Sequence, residues 1–350
     1  MKKKIRIGII FGGQSSEHEV SIQSAKNVYD AIDKNKYDSV LIGISKKGKW
    51  LTLDSKDFQQ IASQSYSALP EKIQEASIAP QESFSPEQLD VVFPILHGKL
   101  GEDGTVQGFL KLMRVPFVGA DVLGSSLGMD KDVMKRLLRD AGIPIVKFLV
   151  FQKKDEDKIS FASIKKEFGL PFFVKPANAG SSIGVSKVLK ETEFGAAIKE
   201  AFKHDRKILI EKGITAREIE CSVLGNEDKI VSIPGEIIPT HEFYDYDAKY
   251  LNENGARMEI PAQLTPLQVK EVQELAIKAC NVLCVDGMAR VDFFLDKKSN
   301  QLYLNEINTI PGFTNISMYP KLWGASGISY SQLIDRLINL ALERASIQRG

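Results

Sequence analysis

Arg290, Asp292, Glu306 and Asn308 are the residues whose types and spacing most directly suggest chemistry. They lie on two runs of alternating apolar and polar residues that flank the polar stretch Asp296–Asn300. Such alternation predicts a β-hairpin, because successive strand side chains point to opposite faces. With the turn centred on Ser299, Asp292 falls across from Glu306, Arg290 across from Asn308 and Val291 across from Ile307. Directly opposed carboxylates repel each other, so the arrangement makes sense with a divalent cation between them. Two carboxylates and an amide oxygen suit Mg²⁺, which keeps several waters and completes its shell with substrate phosphates. The alternative is a solvated sheet face with an Arg–Glu ion pair. Asn308-Thr-Ile-Pro-Gly312 follows at once and offers backbone N–H groups beside the charged face, which favours the metal.

Other chemistry-bearing residues sit where strands run into glycine loops. The apolar run Ile5–Phe11 leads into Gly12-Gly-Gln-Ser-Ser-Glu17 and a helix to about Ile32, a unit that aims backbone donors at a shared ligand. It lacks GxGxxG, which counts against a nicotinamide-dependent oxidoreductase. A second strand is expected at Ser39–Ile44 and a third at Val91–Leu96, making a small, mostly parallel sheet. The third feeds His97-Gly-Lys-Leu-Gly-Glu-Asp-Gly104, where His97 is either a ligand-facing group or a satisfied loop histidine. Met129-Asp-Lys131 opens a helix that stops at Gly142. Pro171–Lys175 is a strand ending in a lysine, and Gly180-Ser181-Ser182 between it and the strand Val185–Leu189 can fold over phosphates. This loop is not a P-loop, because GxxxxGK[ST] is absent. Strands at Lys207–Glu211 and Arg217–Leu224 place Glu218, Glu220 and Ser222 on one face. His241–Leu251, rich in aromatics and without a clean period, fits an ordered loop that closes over a site.

The rest of the chain supplies scaffold. At 350 residues it suits two or three domains. Hydrophobic residues make up 43% and charged ones 26%, as expected of a soluble globular protein. A formal net charge of +1, with basic residues concentrated only at Lys2–Lys4, argues against a nucleic-acid partner. No apolar run reaches the length of a membrane span and no signal peptide precedes the first strand, so a cytoplasmic location is expected. Three cysteines, Cys221, Cys280 and Cys284, are too few for a disulfide framework. Cys280 and Cys284, one helical turn apart, are expected to be buried free thiols. Asp57–Pro86 reads as variable surface. Thr265-Pro-Leu-Gln268 is a capping box opening a helix with Val272, Leu275, Ala279 and Leu283 inward. Tyr330–Arg344 repeats that spacing with Leu333, Leu337, Leu340 and Ala341.

Taken in order, Gly12-Gly-Gln-Ser-Ser-Glu-His-Glu-Val-Ser, Leu96-His-Gly…Gly-Glu-Asp-Gly, Met129-Asp-Lys, Val174-Lys-Pro…Gly-Ser-Ser-Ile-Gly, Phe243-Tyr-Asp-Tyr…Lys-Tyr, Arg290-Val-Asp and Asn305-Glu-Ile-Asn-Thr-Ile-Pro-Gly-Phe resemble the D-alanine–D-alanine ligase family of the ATP-grasp superfamily. The resemblance covers nearly the whole chain. It implies an α/β, three-domain ATP-grasp architecture with an N-terminal Rossmann-like parallel sheet. Its units would be a substrate-binding domain at 1–120, a central subdomain at 121–211 and a C-terminal subdomain at 212–350.

The implied reaction joins two D-alanines with ATP through an acyl phosphate, for peptidoglycan precursors. The alternatives are a D-alanine–D-lactate ligase or another ATP-grasp carboxylate–amine ligase. By the same resemblance, Lys131 and Lys175 bind phosphates, Glu211, Lys212 and Ile214 hold adenine, and Glu218 holds ribose. Asp292, Glu306 and Asn308 match ligands of Mg²⁺ or Mn²⁺, two ions in the family. Arg290 and the Gly312 N–H match groups that steady the transferring phosphoryl and the oxyanion. Glu17 matches the carboxylate that holds the first substrate's ammonium, linked through Ser181 to Tyr250. His97 matches a residue near the first D-alanine, and Lys249, Ser317 and the Met318 backbone match those around the second carboxylate. Lys249-Tyr250 follows the dipeptide-forming pattern, and a homodimer is the family expectation.

Overall fold

A computed structural model of the chain describes residues 3–63, 88–239 and 256–349. The N-terminal apolar runs become β1 (Ile5–Gly12), β2 (Tyr37–Ile44), β3 (Trp50–Leu53) and β4 (Val91–Ile95), arranged in the order β3-β2-β1-β4. β1 pairs in parallel with β2 and β4, while β3 adds an antiparallel edge. Ile7, Ile9 and Ile10 of β1 are all fully buried, which is why this run does not alternate. The mostly parallel sheet is as expected, but β3 was not foreseen. Helix α1 (His18–Ala31) is tied to the strand ends by Ser21, whose Oγ accepts from the Gly12 N–H at 2.7 Å and donates to the Ile95 carbonyl.

The surface assignment for residues 57–63 is corrected. They belong to α2 (Ser55–Ser63), which turns Phe58, Ile61 and Ala62 into the core. The i, i+3, i+4 stripe they form was hidden by the polar composition around it. The remainder of that stretch, 64–86, lies outside the described residues.

Next come α3 (Thr105–Leu112), α4 (Val122–Met129) and α5 (Lys131–Asp140), the last of these being the helix expected from Met129-Asp-Lys131. They lead to a second sheet, β5 (Phe148–Gln152), β6 (Phe172–Pro176), β7 (Ser186–Val188) and β8 (Lys207–Lys212), antiparallel in the order β5-β8-β6-β7. Two helices, α6 (Phe161–Phe168) and α7 (Glu191–His204), back this sheet and share its core. Phe194 meets Phe161 and Phe172 edge-on at ring separations of 5.6 and 5.8 Å, a geometry aromatic quadrupoles favour.

The third sheet holds β9 (Ala216–Gly225), β10 (Ile230–Val231), β11 (Gly235–Pro239), β12 (Ala256–Glu259), β13 (Gly287–Asp296) and β14 (Leu302–Asn308). Its order is β12-β11-β9-β13-β14, with β10 beside β9, and its pairings are antiparallel. Helix α8 (Pro266–Val282) opens on the Thr265–Gln268 capping box and buries Val272, Ala279 and the residue just past its end, Leu283. Cys280 is buried as expected, but Cys284 is exposed. It lies beyond the helix end at φ 54°, so helical spacing no longer sets its direction.

After α9 (Met318–Ala325), α10 (Tyr330–Arg349) returns to the first sheet. Leu333, Ile334, Leu337 and Ile338 share one core with Ile7, Ile9 and Val91. Half-buried Arg344 fastens this junction, donating to the carbonyls of Gly119 (2.6 Å) and Phe117 (2.8 Å) while its guanidinium lies 4.9 Å from the Phe117 ring. Replacing Arg344 with Met keeps the aliphatic stem but leaves both carbonyls without this donor. The urea midpoint of Arg344→Met should fall by the equivalent of about 2–3 kcal/mol, and an unchanged midpoint would mean the junction does not rest on these bonds.

Candidate active site

The hairpin register is the one expected: Asp292 opposes Glu306, Arg290 opposes Asn308 and Val291 opposes Ile307. A bulge between Asp292 and Phe293 shifts the pairing beyond it to Phe293 with Leu304, leaving Asn305 as the extra residue. On its other edge β13 pairs with β9, and Asp292 is level with Glu220. Glu220, Asp292 and Glu306 therefore form a row of carboxylates across three adjacent strands. Their repulsion is answered by cations and an amide. Arg290 grips Asp292 with two bonds of 2.8 and 2.7 Å and lies 3.0 Å from Glu220. Asn308 Nδ2 donates to Asp292 Oδ2 at 2.9 Å, and Lys131 Nζ stands 3.7 Å from Glu306.

This row borders a cavity of about 590 Å³ enclosed by the second and third sheets and the N-terminal loops, within the range of small-ligand sites. From the opposite wall come the lysines. Lys131 begins α5, where the Asp130 cap accepts from the N–H groups of Asp132 and Val133, both at 3.1 Å. Lys207 holds that cap by bonds of 2.8 and 2.7 Å. The Lys131 N–H donates to the Ala177 carbonyl and its Nζ to the Ala179 carbonyl, so the lysine is joined to the glycine-serine loop. Lys175, near the end of β6, lies 2.6 Å from Glu211 on the neighbouring β8. Glu211 is also 3.2 Å from Lys135, whose side chain is fully buried. Burial opposes charge on Glu211, but the two ammonium groups outweigh it and hold its pKa below the usual carboxylate range.

Within the loop, Ser181 and Ser182 both adopt left-handed backbone at φ 50° and 60°, a strained conformation for non-glycine residues. This twist brings Ser181 Oγ to 2.5 Å from Glu17 Oε1, across 164 residues of sequence. The expected Glu17–Ser181 link is therefore present. Tyr250 and Lys249 lie outside the described residues. Lys212 is exposed and Ile214 and Glu218 are half-buried, all on the cavity wall.

His97 is buried with both ring nitrogens occupied. Its Nδ1 donates to the Ile310 carbonyl at 3.0 Å, which fixes the tautomer, and Nε2 accepts from Ser24 Oγ at 3.2 Å. Ser24 Oγ in turn accepts the Phe313 N–H at 3.1 Å. Burial lowers the His97 pKa, in keeping with this neutral form. His97 thus borders the cavity and also holds the Asn308–Phe313 loop in place. Within that loop a Cβ on Gly312 would come 2.6 Å from Ser317 Oγ, so a side chain there would have to displace that hydroxyl. Ser317 precedes α9 and its Oγ accepts from the Thr314 N–H at 2.9 Å, while Met318 packs its side chain against Ile237 and Leu322.

Glu102, Lys135 and Ser24 belong to this site without having been singled out in the sequence. Glu102 lay within the Gly-Glu-Asp-Gly motif, and Lys135 follows Lys131 by one helical turn, so both had a positional signal. Nothing in the sequence marked Ser24. The metal expectation rests on Asp292, Glu306 and Asn308, whose two carboxylates and amide face the cavity and fit a magnesium-type ion that keeps several waters. No group of three or more His, Cys, Asp or Glu poised to enclose a metal occurs among the described residues.

A cleft between two antiparallel sheets, with lysines on one wall and carboxylates on the other, defines the ATP-grasp class of ligases. The family description "D-ala D-ala ligase N-terminus" matches residues 6–120, and "D-ala D-ala ligase C-terminus" matches 137–339. The chain is 50% identical to D-alanine–D-alanine ligase of Oceanobacillus iheyensis, over 98% of this chain and 96% of that one. It is also 50% identical to D-alanine–D-alanine ligase A of Escherichia coli K12, over 98% and 97% of the two chains. Among solved structures, the D-alanine–D-alanine ligase of Coxiella burnetii superposes with a TM-score of 0.85 at 39% identity, covering 99% of this chain and 96% of that one. The VanG D-Ala:D-Ser ligase of Enterococcus faecalis gives 0.83 at 36% identity, covering 97% and 100%. The chain belongs to the D-alanine–D-alanine ligase family.

Glu102 supplies a test of the site's electrostatics. Burial, with the charge of Glu17 beside it, raises its pKa from 4.5 to about 8, although the Gly98 N–H bond at 2.6 Å opposes the shift. The folded protein then holds a proton that the unfolded chain has released, and stability falls as pH rises from about 4.5 to 8. Thermal midpoints measured from pH 5 to 8 should fall more in the native protein than in Glu102→Gln; parallel curves would place the proton elsewhere.

Proposed function

We propose that the chain condenses two D-alanine molecules to D-alanyl-D-alanine, converting ATP to ADP and phosphate, for use in peptidoglycan precursors. The observation that supports this most directly is a single cavity, in a chain of this family, bordered by both the Asp292–Glu306 pair and the Glu17–Ser181 contact. In the reaction a carboxylate oxygen of the first D-alanine attacks the γ-phosphorus, and the bond to ADP breaks. The amine of the second D-alanine then adds to the acyl carbon, loses a proton, and phosphate departs with the C–O bonding pair.

Phosphoryl transfer demands positioning and charge neutralisation more than covalent help. Lys131 and Lys175 would bind the phosphates, with Glu211, Lys212 and Ile214 around adenine and Glu218 at the ribose. Arg290 would turn from Asp292 and Glu220 towards the transferring phosphoryl, and the Gly312 N–H would stabilise the oxyanion. Glu17 would hold the first ammonium, with Ser181 and Tyr250 extending that link and His97 close by. Lys249, Ser317 and the Met318 N–H would receive the second carboxylate. Asp292, Glu306 and Asn308 would hold Mg²⁺ or Mn²⁺, which when bound screens the phosphate charge. We further propose domain limits of 1–120, 121–211 and 212–350, a homodimer and a cytoplasmic location. No described helix is long and apolar enough to cross a membrane.

Phosphate release with ATP and Mg²⁺ should be fast with D-alanine and near background with L-alanine or with D-lactate as sole substrate. D-alanine plus D-lactate at neutral pH should give dipeptide faster than depsipeptide, and the reverse would defeat the assignment of an amine acceptor. Glu306→Gln should lower turnover by about 100-fold or more with an unaltered unfolding curve. Native rates in that variant would remove the metal from Glu306.

A further inference from the structure

Among the described residues, Lys135 is the one lysine found with the largest fully buried side chains. It sits on α5 one turn after Lys131, and Glu211 at 3.2 Å is its sole ion-pair partner among the described residues. Glu211 already has a partner in Lys175 at 2.6 Å. The register of β6 and β8 explains why: Phe173 opposes Glu211, so Lys175, two residues on, reaches Glu211 diagonally on the same face. One carboxylate thus stands between two lysine amines, Lys135 sealed in the interior and Lys175 at the cavity.

A second lysine behind an ion pair is redundant if the pair is permanent, because burying it costs desolvation with little Coulombic return. It is not redundant if Lys175 leaves. Lys175 is 12% exposed and borders the cavity, whereas Lys135 is sealed at 0%. Only Lys175 has somewhere to go. Were Lys135 absent, its departure would strand a buried, uncompensated carboxylate, an expensive state.

We propose that Lys135 is a positioning residue for nucleotide binding: it retains Glu211 so that Lys175 can exchange the carboxylate for a nucleotide phosphate. This rests on the reading of Lys175 as a phosphate-binding lysine. Lys135 itself touches no substrate. Its role differs from that of a core ion pair, which would set stability and the active fraction but not the affinity for one substrate.

The test is steady-state kinetics on the full chain with ATP and D-alanine varied separately, alongside unfolding curves. Lys135→Met should raise KM for ATP by about 10-fold or more, since Lys175 becomes the sole counter-ion of a buried charge. KM for D-alanine should stay within about 2-fold, a ratio equivalent to well under one tenfold step in affinity. Neutralising the carboxylate should abolish the effect: Lys135→Met added to Glu211→Gln should change KM for ATP by less than about 3-fold relative to Glu211→Gln alone. If Lys135→Met alone does not fold, a difference in KM for ATP of more than about 3-fold between Glu211→Gln and the double variant overturns the proposal, because Lys135 would then act other than through the Glu211 charge. A native KM for ATP in Lys135→Met, or equal penalties with and without Glu211, overturns the proposal. Lys175→Ala separates the two readings. If it leaves KM for ATP unchanged, the phosphate role of Lys175 fails and the exchange with it. If it raises KM for ATP while Lys135→Met does not, the exchange alone fails.

Discussion

Mutual repulsion among Glu220, Asp292 and Glu306 is the constraint to which the site answers. Three carboxylates level with one another on adjacent strands form a field that backbone pairing cannot relieve. Arg290 and Asn308 relieve it from within the sheet, and Lys131 reaches it from α5. The position of α5 then fixes the glycine-serine loop through the Ala177 and Ala179 carbonyls, and the loop carries Ser181 to Glu17. A chain of charge compensation therefore connects the third sheet to the second and the second to the N-terminal unit. A site assembled this way is held by contacts that strengthen as water is excluded.

The N-terminal unit contributes more than a wall of the cavity. Its His97 and Ser24 form a hydrogen-bonded line to Ile310 and Phe313, the residues on either side of Pro311-Gly312. The line is uncharged, because the buried imidazole donates through one nitrogen and accepts through the other. Such a brace holds the loop by hydrogen bonds alone and adds no charge to it. In its hydrogen bonding His97 is the satisfied histidine, with both nitrogens occupied by protein partners, and it also borders the cavity.

The hairpin, the capping box at Thr265 and the inward faces of α8 and α10 were legible in the sequence because strand and helix periods are local signals. Glu17 and Ser181 became neighbours only through tertiary structure, and the link was foreseen by resemblance instead of by spacing. Residues 57–63 were misread because a three-residue apolar stripe in a polar stretch carries too little periodicity to register. Cys284 was misread for the opposite reason, since the helical period was extended past the end of the helix. The bulge at Asn305 leaves no composition signature, yet it sets the register of everything beyond Asp292. Lys135 carried only a positional signal, one turn after Lys131, because lysine in an amphipathic helix ordinarily reads as a solvent-facing position.

The packing of Leu333, Ile334, Leu337 and Ile338 against Ile7, Ile9 and Val91 has a consequence for biosynthesis. The opening sheet is translated first but cannot complete its interior until residues near 338 have emerged from the ribosome. Such long sequence separation between partners slows folding and prolongs exposure of apolar surface. Among the described residues, the sheet of β5 to β8 alone draws its whole core from a single uninterrupted segment, so its interior can close without waiting for either end of the chain.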